Sequence, residues 1–173
     1  MAKKKISPEL EEAILNLSPK EKNKLLIRLI NKDALLTEQL QYRLLENTES
    51  DLVFRRNQIK EEVTRIFHTS VISYFKDLLY YVRSGISHIN RHAKVTKDKK
   101  GELELLIHLY QQALQARSAL KNNWRDQVFK QKFITYSLTK TAKMTALLND
   151  LHEDFRVEFE EEITALHALI ADL

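Results

Sequence analysis

The sequence predicts an all-α protein, an antiparallel bundle of long helices preceded by three short ones. Three observations predict it. Apolar residues in every long segment recur at steps of three and four, the period of a helix and not of a strand. The 173 residues include only two glycines and two prolines, far too few for the tight turns of a β fold. Apolar residues make up 43% and charged residues 30%, the balance of a chain that buries a core and keeps a polar surface.

The short helices announce themselves by their starts. Ser7-Pro8 and Ser18-Pro19 each place an N-cap hydroxyl before a proline at the first helical position. Ser18 also has Glu21 three residues on, a capping box. These signals predict helices over 8–16 and 19–31. Asp33 can cap a third over 34–46, with Leu36, Leu40 and Leu44 on one face. Helices this short are marginal alone and must pack on something.

One long helix is predicted from Ser50 or Asp51 to about His92. Its stripe runs Ile59, Val63, Phe67, Val71, Phe75, Leu78, Val82, Ile86, Ile89. Unbroken, it would span roughly 60 Å at 1.5 Å per residue. A compact monomer of this size does not cover such a stripe, so a two-fold homodimer is expected. Gly85, beside the stripe, predicts either a kink or a close neighbour.

Residues 93–101, AKVTKDKKG, show no periodicity and hold four lysines, which predicts a loop. A helix over 102–121 follows, with Leu103, Leu106, Ile107, Tyr110, Leu114 and Leu120 inward. Asn122-Asn123 can end it, and Asn123 with Asp126 can start the next, over 124–149. The last helix, 151–171, carries the stripe Leu148, Leu151, Phe155, Phe159, Ile163, Leu166, Ile170. Asp150 with Glu153 can separate the two, though one continuous helix also fits. The change from short to long helices divides the chain into an N-terminal unit, 1–47, and a bundle, 48–173.

Composition excludes several chemistries. Without cysteine there is no disulfide, thiolate metal site or cysteine nucleophile. Two isolated glycines, Gly85 and Gly101, cannot build a phosphate-cradling loop. No apolar run is long enough to cross a membrane. Met1-Ala2-Lys3-Lys4-Lys5 is basic without a following apolar stretch, so the expected location is the cytoplasm. No membrane partner is expected.

Charge is distributed unevenly. The net charge is +4. Residues 71–149 hold 14 basic and 5 acidic side chains, a balance of +9. Residues 150–173 hold one basic and 8 acidic, a balance of −7. The basic part suits a polyanion, and the acidic helix could instead lie over it and neutralise it.

Two clusters carry the binding hypothesis. On the helix over 124–149, Arg125, Lys132, Tyr136, Lys140 and Lys143 fall within about 80° of arc, with Phe129 on the same side. Cations interleaved with rings suit a single strand, whose phosphates follow the cations while bases stack on rings. The 93–101 loop adds Lys94, Lys97, Lys99 and Lys100. Against this stands the acidic side of the last helix, Asp150, Asp154, Glu158 and Glu161.

Other constellations are weaker. His88 and His92 stand at i,i+4, so both imidazoles can reach one metal ion. No third ligand lies within a turn on that face, and neither metal nor cofactor is expected. The Glu-x-x-Glu pairs Glu9/Glu12, Glu46/Glu49 and Glu158/Glu161 resemble half of the magnesium motif of all-helical nucleotide pyrophosphatases. The Glu-x-x-Asp half is missing.

Arg83-Ser-Gly-Ile-Ser-His88 resembles the Arg-x4-His motif of the helical ribonucleases called HEPN, over those residues alone. The resemblance implies His88 as general base and Arg83 as the group stabilising charge on the phosphate. Ser84 departs from the family, which usually has Asn, Asp or His there. In a straight helix Arg83 and His88 point about 140° apart, so they meet only if Gly85 breaks the helix or two chains come together.

The sequence by itself favours a non-enzymatic structural or protein-interaction module. Nucleic-acid binding through the two basic clusters is the alternative, and a HEPN-like ribonuclease comes third.

Overall fold

A computed structural model describes residues 6–46, 48–121 and 123–173. The chain forms two compact units, Met1–Leu45 and Glu46–Leu173. Among the described residues there are eight α-helices, two single 3-10 turns and no strand. None of these helices is long and apolar enough to cross a membrane.

The N-terminal unit holds α1 (Pro8–Leu15), α2 (Pro19–Ile30) and α3 (Ala34–Leu45). Each starts at the cap its sequence carries. Ser7 Oγ accepts the Leu10 N–H at 3.3 Å. Ser18 Oγ accepts the Glu21 N–H at 3.3 Å while the Glu21 carboxylate accepts the Ser18 N–H at 3.0 Å, a complete capping box. Asp33 Oδ1 accepts the N–H groups of Leu35 and Leu36, both at 3.0 Å. None of the three helices buries a residue. Leu15, Leu26, Ile27, Leu44 and Leu45 are all more than half exposed.

The second unit is the bundle: α4 (Glu49–Thr69), α5 (Phe75–Thr96), α6 (Lys99–Ala116), α7 (Gln127–Asn149) and α8 (Glu153–Ala171). Thr48, not Ser50 or Asp51, caps α4, in a capping box with Asp51. The centre is α6, which packs on α4, α5, α7 and α8. Its buried residues cover well over half of its circumference and leave one polar strip, Glu104, His108, Gln111 and Gln115. Leu103, Leu105, Leu106, Leu109 and Tyr110 are all at most 1% exposed. Around them close Val63 of α4, Leu78, Val82 and Ile89 of α5, Phe133 and Met144 of α7, and Ile163 and Ile170 of α8.

The predicted helix from residue 50 to 92 is two helices. The chain leaves the helix at Ser70 and re-enters at Phe75. Ser70, Val71, Ile72 and Ser73 are weak helix formers, β-branched or able to bond their own backbone. Val71, which continued the stripe, is 84% exposed, and Ile72 is buried in its place. The new start is held by carboxylates. Asp77 Oδ2 accepts the N–H groups of Ser73 at 3.2 Å and Tyr74 at 3.1 Å. Asp126, from the turn before α7, accepts those of Phe75 and Lys76. The homodimer expected from an unbroken helix therefore loses its premise.

The predicted loop 93–101 is also absent. Helix α5 continues through Thr96, and α6 begins at Lys99. Lysine is a good helix former, and His92 and Val95 carry the buried stripe onward. Only Lys97 and Asp98 join the helices. Lys97 takes a left-handed φ of 61°. Asp98 Oδ1 accepts the Gly101 N–H at 2.8 Å and starts α6.

Two further boundaries differ. Helix α6 ends at Ala116, followed by a 3-10 turn over Arg117–Ala119. Of the predicted Asn122-Asn123 stop, Asn122 lies outside the described residues. Asn123 starts a second 3-10 turn, Trp124–Asp126, its side-chain oxygen accepting the Arg125 N–H at 3.0 Å. Helices α7 and α8 are separate, and His152 rather than Asp150 caps α8.

A buried arginine ties α4 to the α5–α6 turn. Arg56 meets Glu49 at 2.7 Å, Glu104 at 3.2 Å and Asp98 at 3.7 Å. His92 Nε2 stands 3.5 Å from the same Asp98 oxygen.

Candidate nucleic-acid interface

Helix α7 lies against α5, and this pairing builds the basic surface. Two rings of α7 meet cations from both helices. The Phe129 ring has Lys132 Nζ 5.3 Å and Lys76 Nζ 6.0 Å from its centre. The Tyr136 ring has Lys140 Nζ at 5.0 Å and the Arg83 guanidinium at 5.1 Å. Between the helices runs a shallow groove of about 420 Å³, lined by Arg83, Gln131, Lys132, Thr135, Tyr136 and Thr139. Arg125 stands one turn before α7, over the exposed Trp124 ring at 5.1 Å.

Tyr136 is half-buried. Burial raises the pKa of its hydroxyl, and the Arg83 charge only partly opposes this, so the phenol stays neutral. Its ring is already occupied by two cations. A base stacking on this ring would compete with Arg83 and Lys140 for its surface.

Three of the nominated lysines are spent inside the fold. Lys143 pairs with Glu102, a buried carboxylate of α6. Lys99 pairs with Asp150 at 2.9 Å. Lys100 lies 4.1 Å from the Phe155 ring and 3.7 Å from Glu158. Lys94 and Lys97 are exposed, on the last turn of α5 and at its cap. The second cluster is thus a helix end, a two-residue turn and a helix start.

The acidic C-terminal stretch pairs with lysines of the second cluster and, among the described residues, with no cation of the α5–α7 face. α8 packs on α7 and α6 and buries Phe159, Ile163, Leu166 and Ile170 in the core. Its Glu158 reaches Lys100 of α6, and Asp154 stays with His152. Among the described residues no ion pair joins a carboxylate to Lys76, Arg83, Arg125, Lys132 or Lys140.

The chain matches no family model, no curated protein and no solved structure.

The fold separates Arg83 from His88. Helix α5 runs unbroken through Gly85. Arg83 turns to Tyr136 of α7, whereas His88 Nδ1 lies 3.4 Å from Glu62 Oε2 of α4. Gly85 marks a close approach and no kink: a Cβ there would stand 2.5 Å from Leu109 Cδ1. His88 and His92 likewise turn to different partners, Glu62 and Asp98. Among the described residues no three His, Asp or Glu side chains group as metal ligands.

Lys76 and Arg83 are the members of the surface that sequence reasoning missed. Both are local to α5, and only the packing of α5 on α7 brings them to the rings. Arg83 drew notice solely for its spacing from His88.

Proposed function

We propose that the protein is a non-enzymatic binding module whose α5–α7 face takes single-stranded nucleic acid. One observation carries the proposal. Five cations from two helices and the turn before α7 stand beside rings and, among the described residues, pair with no carboxylate. Such a face attracts phosphates and releases their counterions. Rings already engaged by cations supply an apolar floor, so recognition is by charge more than by base.

Fluorescence anisotropy with mixed single-stranded DNA and RNA tests this. Affinity should fall steeply with salt. The triple substitution R83Q/K132Q/K140Q should weaken binding and flatten that slope, with stability changed by about 0.5 kcal/mol or less. Absence of binding at low salt rejects the proposal. Tighter binding of polyglutamate than of oligonucleotide would assign the face to an acidic protein instead.

The N-terminal unit favours a second reading, a protein contact. Its helices bury nothing and leave Leu15, Leu26, Ile27, Leu44 and Leu45 open. Large apolar side chains left exposed on all three helices are what a protein interface covers, and a second copy is the simplest cover. Sedimentation across a wide concentration range checks self-association; a constant monomer mass removes it.

A further inference from the structure

At the start of α5 and α7, away from the groove residues, a cavity of about 290 Å³ opens in the bundle unit. Three cations line it, from three successive stretches of chain: Arg117 of the first 3-10 turn, Lys121 beyond it, and Lys130 of α7. Lys121 is fixed through its backbone, whose N–H donates to Ser73 O at 2.8 Å. Gln127 adds an amide, and Phe75 an apolar wall.

Asp126 is the one acidic side chain in the wall, and it is committed elsewhere. Its two oxygens accept the first N–H groups of α5, those of Phe75 and Lys76. Its charge is thereby balanced by the positive end of that helix. Among the described residues no ion pair engages Arg117, Lys121 or Lys130, with Leu173 in the wall or with any other residue. Like charges gathered around one concavity repel, and an anion placed among them relieves the repulsion.

We infer that this cavity is a binding site for a phosphate monoester. A monoester dianion carries three terminal oxygens that can accept from such cations, and charge-assisted bonds to them are strong. A backbone diester offers fewer oxygens and less charge. The site goes beyond the α5–α7 groove, since it uses none of the same cations. Its phosphate can belong to the end of a nucleic-acid strand or to a small phosphorylated metabolite.

Two measurements on the full chain decide. Titration calorimetry with inorganic pyrophosphate should give saturable binding, weakened about tenfold or more in K121Q/K130Q, because charge-assisted contacts are lost. The charge-conserving K121R/K130R should keep it, which separates loss of charge from loss of fold. Oligonucleotides with a 5′-phosphate or a 5′-hydroxyl are then compared. A preference for the phosphate that K121Q/K130Q loses and R83Q/K132Q/K140Q keeps assigns the strand end. Pyrophosphate binding without that preference assigns a small metabolite. The absence of both saturable pyrophosphate binding and a 5′-phosphate preference overturns the inference, even if oligonucleotides bind the groove.

Discussion

Arg56 Nε lies 3.7 Å from Asp98 Oδ2, and neither side chain is more than 10% exposed. The pair joins α4 to the turn between α5 and α6. Asp98 already spends its other oxygen on the Gly101 N–H, so Arg56 and His92 are what its second oxygen faces. At these separations the attraction is one of charge more than of hydrogen bonding.

Arg56→Met should therefore cost about 3–5 kcal/mol, the usual result of leaving a buried charge without its partner. Urea denaturation reads this directly. Replacing Glu49, whose side chain is largely exposed, should change stability by about 0–1 kcal/mol. A small loss in Arg56→Met would mean that water reaches Asp98.

Acid should unfold the bundle in two stages. Burial pushes the His108 pKa below 6.5, against a hydrogen bond to the Lys60 carbonyl that pulls it up. The fold thus prefers neutral His108. That contribution is full above 6.5 and lost as pH falls below it. Burial would raise the Asp98 pKa, but His92, the Gly101 N–H and Arg56 together hold it below 3.8. Its contribution is full above 3.8 and lost as pH falls through the lowered value. Both act in the same direction. Urea midpoints measured from neutral to strongly acid pH should fall twice, and His108→Gln should remove the upper step alone.

The two glycines should differ in their tolerance of alanine. A Cβ at Gly101 would stand 2.0 Å from Asp98 Oδ2 and 2.7 Å from Arg56 Cδ. Both neighbours are pinned by each other, so Gly101→Ala should cost about 1–3 kcal/mol or more. At Gly85 the clash is with the end of the Leu109 side chain, which can rotate at smaller cost. Thermal unfolding of the two variants should place Gly101→Ala clearly lower.

Asp126→Ala should loosen the start of α5. It removes the acceptor for two N–H groups, and Asp126 itself is buried. Loss of a cap costs about 1 kcal/mol, and stranded donors add about 1–3 kcal/mol. Asp126→Asn keeps one acceptor and should lose less. Hydrogen exchange should show the first turn of α5 opening in Asp126→Ala; unchanged protection there would contradict the capping role.

Legibility followed the range of the interaction. The caps at Ser7, Ser18 and Asp33 act within one turn, and the sequence placed them. The stripes Leu103–Leu106–Ile107–Tyr110 and Phe159–Ile163–Leu166–Ile170 are buried as their period requires. The break at 70–74 was not legible, because half of its capping comes from Asp126, 51 residues away from Phe75 in the chain. Val71 kept the period by accident of spacing. Four lysines disguised two helix ends as a loop. Three of the five cations and both rings could be read from the wheel predicted over 124–149, but Lys76 and Arg83 join them only through tertiary packing. Lys143 sits on the same arc and yet reaches back to Glu102, a destination no wheel foretells.

The two-residue connection at Lys97–Asp98 also bears on how the chain assembles. Helices α5 and α6 are joined almost directly and then pack along their length. Closing that hairpin costs little chain entropy, because its loop is about as short as a loop can be. The contacts of α4 with α6, and of α8 with α6, each close a far longer span of chain. Loop entropy alone thus favours this hairpin, and likewise that of α7 and α8 across residues 150–152, over the longer closures. The buried arginine of α4 then reaches a turn that local chain entropy already favours.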